Sequence, residues 1–251
     1  MVSIVRAKFG IPITDIFFDC AASVADPRSS ISFFVQSSAP QSGFVPFKTQ
    51  IVDLTQPPGK IFSRISSNCR YKIKRAEREG CIPVLSAAPL PADVLRFSEY
   101  FDEFARQKRL PRANRAKLAA LCDVGALLLS SVAQANGQPL AMHAYVLDSR
   151  IRRARLLYSA SHFRGLEDSG VRNLIGRANR LLHWHEMEQL HHQQVRDYDF
   201  GGLPLHNRDE AKNAIARFKR EFGGREVIEY NGLRAGSTFG KLLLLCRRRA
   251  A

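Results

Sequence analysis

The sequence predicts a mixed α/β fold, a central and largely antiparallel sheet flanked by helices, and three observations carry that prediction. From Ala126 to Ala160 three apolar segments are separated only by Asn136-Gly137 and by Asp148-Ser149-Arg150, connections that suit an antiparallel meander. A segment of helical periodicity more than twenty residues long follows them. A strand, a helix and a strand then close the pattern, so the sheet changes from hairpins to a helical crossover late in the chain.

The elements read in order as follows. Residues 1–43 are the least legible: Ile13–Phe18 and Ile31–Val35 suit short strands on either side of a turn at Asp26-Pro27-Arg28. Phe44 to Leu54 alternates as a strand does, and Pro57-Pro58-Gly59 closes it. From Lys60, the residues Phe62, Ile65, Cys69, Ile73 and Ala76 recur at three- and four-residue steps and predict one helix with an apolar face. Arg70, Lys74 and Arg78 lie on another face, and Gly80 stands where a helix ends in a left-handed residue. Cys81 to Leu85 reads as extended. Pro91 to Leu110 predicts a helix buried through Val94, Leu95, Phe97, Phe101 and Phe104, with a shorter helix at Arg115–Cys122.

The meander strands are Ala126–Ala135, Pro139–Leu147 and Ile151–Ala160. A polar loop from Arg164 to Gly170 leads into a long helix, about Val171 to His192, whose stripe is Leu174, Ala178, Leu181, Leu182 and then His185 or Met187. Val195–Phe200 is a strand, Glu210–Phe222 a helix and Glu226–Tyr230 a strand. Leu242 to Arg249 suits either a strand or a helix with a basic tip. The expected division is 1–43 as an N-terminal extension or partial subdomain, and 44–251 as the main domain.

Composition narrows the function classes. The 38 Lys and Arg against 23 Asp and Glu give a net charge of +15, which favours a polyanionic partner: nucleic acid, a phosphate-bearing cofactor or an anionic lipid surface. General basicity for solubility is the bland reading, but the charge is clustered at Arg64–Arg78, Arg106–Lys117, Arg150–Arg155 and Arg247–Arg249. No run approaches the roughly 18 apolar residues that span a bilayer, and the first residues lack a signal peptide's apolar core, so a cytoplasmic protein is expected. Five scattered cysteines argue against a disulfide framework and against a zinc site, leaving reduced thiols. His185, Glu188 and His192 share a helical face, but no further ligand accompanies them and no metal is expected; His183-Trp184 reads as core packing.

The most informative stretch is Tyr198-Asp199-Phe200-Gly201-Gly202, followed by a basic amphipathic helix that ends at Phe222-Gly223-Gly224. A glycine pair directly after a strand lets the backbone turn sharply or lets a ligand approach it. With Asp199 just before the pair, a substrate site is expected there.

These residues also carry a family resemblance. The element order is similar to the GNAT acyltransferase fold. Ala178-Asn-Arg-Leu-Leu-His-Trp-His185, Tyr198-Asp-Phe-Gly-Gly202, Phe218-Lys-Arg-Glu-Phe-Gly-Gly224 and the arginine-rich Asn68–Gly80 resemble the Fem branch of that fold, over roughly residues 44–231. The resemblance implies transfer of an acyl or aminoacyl group to an amine. Acyl-CoA or aminoacyl-tRNA would be the co-substrate, with no tightly bound cofactor, and the acceptor a small or cell-envelope amine. The chain is too short for two complete GNAT-like domains and a coiled-coil arm, and Arg164–Gly170 does not match the usual phosphate-binding loop.

Acyl transfer to an amine needs a neutral nucleophile, a stabilised oxyanion and a protonated leaving group. By resemblance, Lys219 with Phe218 beside it is the candidate for oxyanion or phosphate stabilisation; a solvated lysine on a basic helix is the other reading. Asp199 either holds the acceptor ammonium or acts as base, against a strand-end carboxylate bonded to backbone amides. Phe200, Gly201 and Gly202 would lie beside the acyl group. The resemblance further implies that Tyr158, Ser159 and Ala160 line the donor path, where the strand before the long helix splays from its neighbour. Arg172 and Asn173 would meet a donor phosphate at the helix start. A reading of a different class is a non-catalytic basic nucleic-acid-binding protein that uses Arg64–Arg78, although no recognised nucleic-acid-binding motif accompanies it.

Overall fold

The computed structural model describes residues 1–20, 24–162, 167–205 and 209–249. The described elements, in chain order, begin with β1 (Val2–Lys8), β2 (Ile11–Phe17), β3 (Ile31–Ser37) and β4 (Val45–Asp53). There follow α1 (Pro58–Arg64), α2 (Ser67–Arg78), β5 (Ile82–Ser86), α3 (Pro91–Lys108) and α4 (Arg115–Asp123). The meander β6 (Leu127–Ala133), β7 (Pro139–Asp148) and β8 (Arg153–Ser161) leads to α5 (Ser169–His192). The chain continues through β9 (Asp197–Leu203), α6 (Glu210–Arg220), β10 (Arg225–Ala235) and α7 (Thr238–Arg249). Mixed α/β architecture with a largely antiparallel sheet is what the sequence predicts. The loop expected at Arg164–Gly170 lies partly outside the described residues.

Two compact units divide the chain, one of residues 1–49 with 226–251, the other of residues 50–225. The sequence reading sets its boundary at 43/44 and keeps 226–251 with the main domain; the contact pattern is interleaved instead.

In the first unit the strand order is β1-β2-β3-β10. β2 and β3 run parallel from Ile13↔Ile31 to Phe17↔Val35, and β10 joins β3 antiparallel, ending at Ala235↔Ile31. The sequence reading misses β1. Only Ile4 of that strand is fully buried, so no alternation of apolar and polar residues marks it. It also stops β10 five residues early, at Tyr230. Its strand-or-helix alternative for the C-terminal segment resolves to a helix, α7.

In the second unit the order is β4-β9-β8-β7-β6-β5. β6 to β8 form the expected meander, with Ser130↔His143 and Met142↔Ala160 among its register pairs, and β5 adds to its edge antiparallel to β6. One core runs under this sheet, built from α2 (Cys69, Ile73, Ala76), α5 (Ala178, Leu182, Met187, Leu190) and inward strand residues such as Leu128, Ala154 and Phe200. Burial lifts the Cys69 thiol to about 12, so it packs as a small apolar group, and all five cysteines are free.

Two details of this unit depart from expectation. The single helix predicted from Lys60 is two helices. Ile65 takes an extended ψ of 139°, and Ser66 caps α2 by accepting from the Cys69 N–H while its own N–H donates to Glu221 O at 2.7 Å. Leu95, predicted buried, is 47 % exposed. The buried stripe of α3 is Val94, Phe97, Ser98, Phe101, Phe104 and Ala105, and Leu95 is turned one residue off it.

Candidate active site

The candidate site begins where two strands part. β8 and β9 pair in parallel at Arg153↔Asp197, Ala154↔Tyr198 and Arg155↔Asp199, and among the described residues the ladder goes no further. Both strands continue past that point, to Ser161 and Leu203. A bulge shifts the β7–β8 register between Ala144 and Tyr145, leaving Leu157 over just past the parting. Bulges concentrate beside active sites because they re-aim a strand.

Each glycine of the motif has a separate cause. Gly201 has φ +68°, and a Cβ there would sit 3.1 Å from Leu156 O across the opening. Gly202 is exposed and offers its carbonyl to the Lys219 ammonium at 2.7 Å. The second pair serves a close approach. Gly224, at φ +92°, would bring a Cβ within 2.4 Å of Ile51 O on β4.

Lys219 is held by its helix. Gln50 on β4 donates from Nε2 to Lys219 O at 3.0 Å and to Gly223 O, tying down the last turn of α6. Arg180 on α5 grips Glu221 with two bonds of 2.7 and 3.0 Å, and its guanidinium lies 4.7 Å from the Phe218 ring centroid. The Lys219 side chain is therefore buried rather than solvated. Burial pulls its pKa down to about 8, opposed by Asp199 and assisted by Arg155.

Asp199 is fully buried and both its oxygens are committed. Oδ2 accepts from Arg153 at 2.5 and 3.1 Å, and Oδ1 accepts from the Gly201 N–H at 2.7 Å. That geometry is the one a strand-end carboxylate takes, bonded to a backbone amide and here to Arg153 as well. Phe200 is buried in an aromatic cluster with His183 (5.0 Å between centroids) and Phe222 (5.1 Å), and Phe218 packs on Phe222 at 5.5 Å.

On β8, Ser159 is half-buried and shares the α5 face with its register partner His143. Ala160 is buried. Tyr158 turns to the other face, where its ring meets Phe101 at 4.7 Å and its hydroxyl accepts from the Asn114 N–H at 3.1 Å. Arg172 and Asn173 are exposed on the first turn of α5. The N–H groups expected to be open to phosphate there are occupied. Asp168 caps the helix, accepting from Gly170 N–H at 2.6 Å and Val171 N–H at 3.4 Å, and Arg172 N–H donates to Asp168 O at 3.1 Å.

Behind the opening lies a polar cluster that the sequence reading misses. Glu186 on α5 is fully buried. Its Oε1 accepts from Ser130 Oγ and from His143 Nδ1 (2.7 Å), and its Oε2 accepts from the Tyr145 and Tyr198 hydroxyls (2.6 Å each). His183 Nδ1 lies 2.6 Å from the Tyr198 hydroxyl. With that hydroxyl's proton given to Glu186, His183 Nδ1 is the donor. Asn179 Oδ1 sits 2.8 Å from His143 Nε2.

Burial alone would raise the Glu186 carboxyl, but the two imidazoles and their bonds hold it well below its ordinary value. Burial lowers His183 to about 4, with His143 adding to the shift, so it is neutral near pH 7. His143, His183 and Glu186 form a triad of metal-ligand type, each with a ligand atom within 4.8 Å of the others. Two features oppose a metal reading. Four donors already fill the carboxylate's acceptor sites, and the imidazoles stack at 4.3 Å and 29°, so their in-plane lone pairs do not converge. The cluster instead ties β6, β7 and β9 to α5 one residue before Asp199.

A meander whose last strand parts from its parallel neighbour beside a bulge, followed by a long helix, is the arrangement expected of the GNAT fold. The chain belongs to the GNAT family: the acetyltransferase (GNAT) domain matches residues 63–220. Among solved structures of similar fold, FemX superposes with a TM-score of 0.63 at 10 % identity, over 97 % of this chain and 85 % of that one. L-PGS from Bacillus licheniformis gives 0.57 at 15 %, over 98 % and 85 %. The C-terminal domain assigned to a lysylphosphatidylglycerol synthetase from Agrobacterium fabrum gives 0.56 at 14 %, over 96 % and 83 %. At these identities the likeness is one of fold, and it agrees with the Fem-like resemblance read from the sequence. No curated protein sequence matches the chain.

Proposed function

We propose that the chain is an N-acyltransferase that passes an aminoacyl group from an aminoacyl-tRNA ester to a primary amine in the opening between β8 and β9. The observation that carries this reading is the buried Lys219 ammonium, fixed to Gly202 O on the wall of that opening. The neutral amine attacks the ester carbonyl carbon, a C–N bond forms, and the carbonyl oxygen becomes an oxyanion that Lys219 stabilises. The C–O bond to the ribose 3′-oxygen then breaks. The proton shed by the nitrogen ends on that oxygen, giving an amide and a free hydroxyl. Asp199 orients the wall through Arg153 and Gly201 and takes no proton.

Two observations favour the ester over a CoA thioester. A pyrophosphate at the start of α5 would meet the Asp168 carboxylate, which already occupies the helix N–H groups. Arg64, Lys74 and Arg78 are exposed on α1 and α2, and a polyribonucleotide needs such a run of cations. The acceptor is an amine on a small molecule or a cell-envelope precursor.

Titration calorimetry with deacylated tRNA and with CoA tests the donor. Saturable tRNA binding that weakens steeply with salt, and no CoA binding, is expected. CoA binding without tRNA binding would replace the donor, and binding of neither would remove both. Binding of tRNA with no transfer to any amine would leave the non-catalytic nucleic-acid reading.

A further inference from the structure

The first unit carries an apolar, basic end that acyl transfer does not use. Three segments meet there by register. β1 and β2 turn at Phe9-Gly10 just beyond the pair Lys8↔Ile11, β3 begins at Ile31 beside Ile13, and β10 ends at Ala235 opposite Ile31. The contacts close the arrangement. Ser30 N–H donates to Pro12 O at 2.9 Å, Gly236 N–H donates to Ser30 O at 3.0 Å, and Gly240 of α7 lies so near that a Cβ would fall 1.7 Å from Ser30 O. The hairpin tip and α7 therefore share one end of this unit.

That end exposes what a water-soluble surface usually covers. Phe9 is 93 % exposed, and on α7 Phe239 is 52 %, Leu242 57 % and Leu245 57 % exposed. The three helix residues recur at three-residue steps and form one stripe, with Gly240 on the buried side. Phe9 is also strained: a bulky aromatic residue held at φ +51°, where glycine is the usual occupant. Strain kept at a fully exposed aromatic serves no packing inside the fold. The charge at this end is mostly positive. α7 carries Lys241 and no acidic residue, its sequence closes on Arg247-Arg248-Arg249, Asp26 near Gly236 is paired with the exposed Arg28 at 3.0 Å, and the Lys8 ammonium lies 5.7 Å from the Phe9 ring centroid.

We propose that this end, the Phe9 tip together with the Phe239–Leu242–Leu245 stripe of α7, docks on an anionic bilayer surface. The apolar stripe and Phe9 enter the headgroup boundary while the basic residues meet lipid phosphates, the arrangement of an interfacial amphipathic helix. A second protein copy would bring the same positive charge against itself, whereas an anionic bilayer complements it. No described helix is long and apolar enough to cross a membrane, so the contact is peripheral. It is independent of the donor and of the transfer chemistry.

The test is co-sedimentation of the full chain with two sets of vesicles, one of equal parts phosphatidylcholine and phosphatidylglycerol, the other of phosphatidylcholine alone. The chain should sediment with the first set, much less with the second, and should be released by high salt. Leu242→Glu with Leu245→Glu should weaken that binding about a hundredfold, and Phe9→Ser about tenfold, from the apolar burial lost. Both variants should keep the native circular dichroism and tRNA affinity, which separates this surface from the proposed donor site. Equal binding to both vesicle sets, no binding to either, or unchanged binding by the α7 variant would overturn the proposal. So would a concentration-dependent dimer that the α7 variant abolishes.

Discussion

Lys219 is a cation in a place that barely tolerates one. Its burial costs solvation, Asp199 returns part of that cost, and the result is a pKa of about 8 in place of 10.5. A group at that value is still protonated near neutral pH and stands ready to bond a developing oxyanion. Only the protonated form does so, which gives a signed expectation: kcat/KM should fall on the alkaline side through pH of about 8. Lys219→Arg holds its charge to far higher pH, so the alkaline limb should move upward even where the guanidinium's shape lowers the rate. Lys219→Ala should cut kcat about 10²- to 10³-fold, the usual loss when one oxyanion donor is removed, with the circular dichroism unchanged. A pH–rate profile of the three proteins, read with one amine acceptor, decides it. An alkaline limb that stays near 8 in the arginine variant would deny Lys219 this part.

At the scale of elements, α5 is the member whose role the structure changes most. Its apolar stripe at three- and four-residue steps is plain in the sequence, because burial against a sheet imposes that period. What occupies its first turn is not, since Asp168 caps the helix only once Gly170 and Val171 take up their helical geometry. Replacing Asp168 by Ala should lower stability by about 1 kcal/mol, measured as a shift in the urea midpoint, because Gly170 and Val171 lose their acceptor. If the donor is an ester of tRNA, the same variant keeps its tRNA affinity. If the first turn of α5 instead holds a pyrophosphate, removing the carboxylate should strengthen CoA binding, and the calorimetry that shows it would return the donor to a thioester. The opening between β8 and β9 is partly legible for a similar reason. Gly201 announces a backbone position where a side chain would be strained and would crowd Leu156 O, whereas the end of the ladder at Arg155↔Asp199 depends on partners far apart in sequence.

At the scale of the whole molecule, the least legible feature is the buried polar cluster. Ser130, His143, Tyr145, Asn179, His183, Glu186 and Tyr198 come from four elements, and no short motif joins them. One signal was available. Asn179, His183 and Glu186 interrupt the apolar face of α5 at steps of four and three, and polar residues on a buried face must find partners. The meander, the long helix and the glycine motifs follow from local pattern, but such a cluster follows only from the fold that assembles it. Its energetics give a test by pH. His183 has a pKa of about 4 when folded against 6.5 when free, so between those values the unfolded chain binds more protons than the folded one. Stability should therefore be full above pH of about 6.5 and decline as the pH falls toward 4, by at most about 1.4 kcal/mol per pH unit. Glu186 is depressed below its ordinary 4.5, so its own contribution is lost only at lower pH, and the upper part of the window belongs to His183 together with His185, which burial also lowers. Urea midpoints at a series of pH values should show this slope in the native chain. They should show a flatter one in His183→Gln, whose amide still donates to Tyr198 but does not titrate. An equal slope in both proteins would mean that the His183 imidazole is not held neutral in the fold.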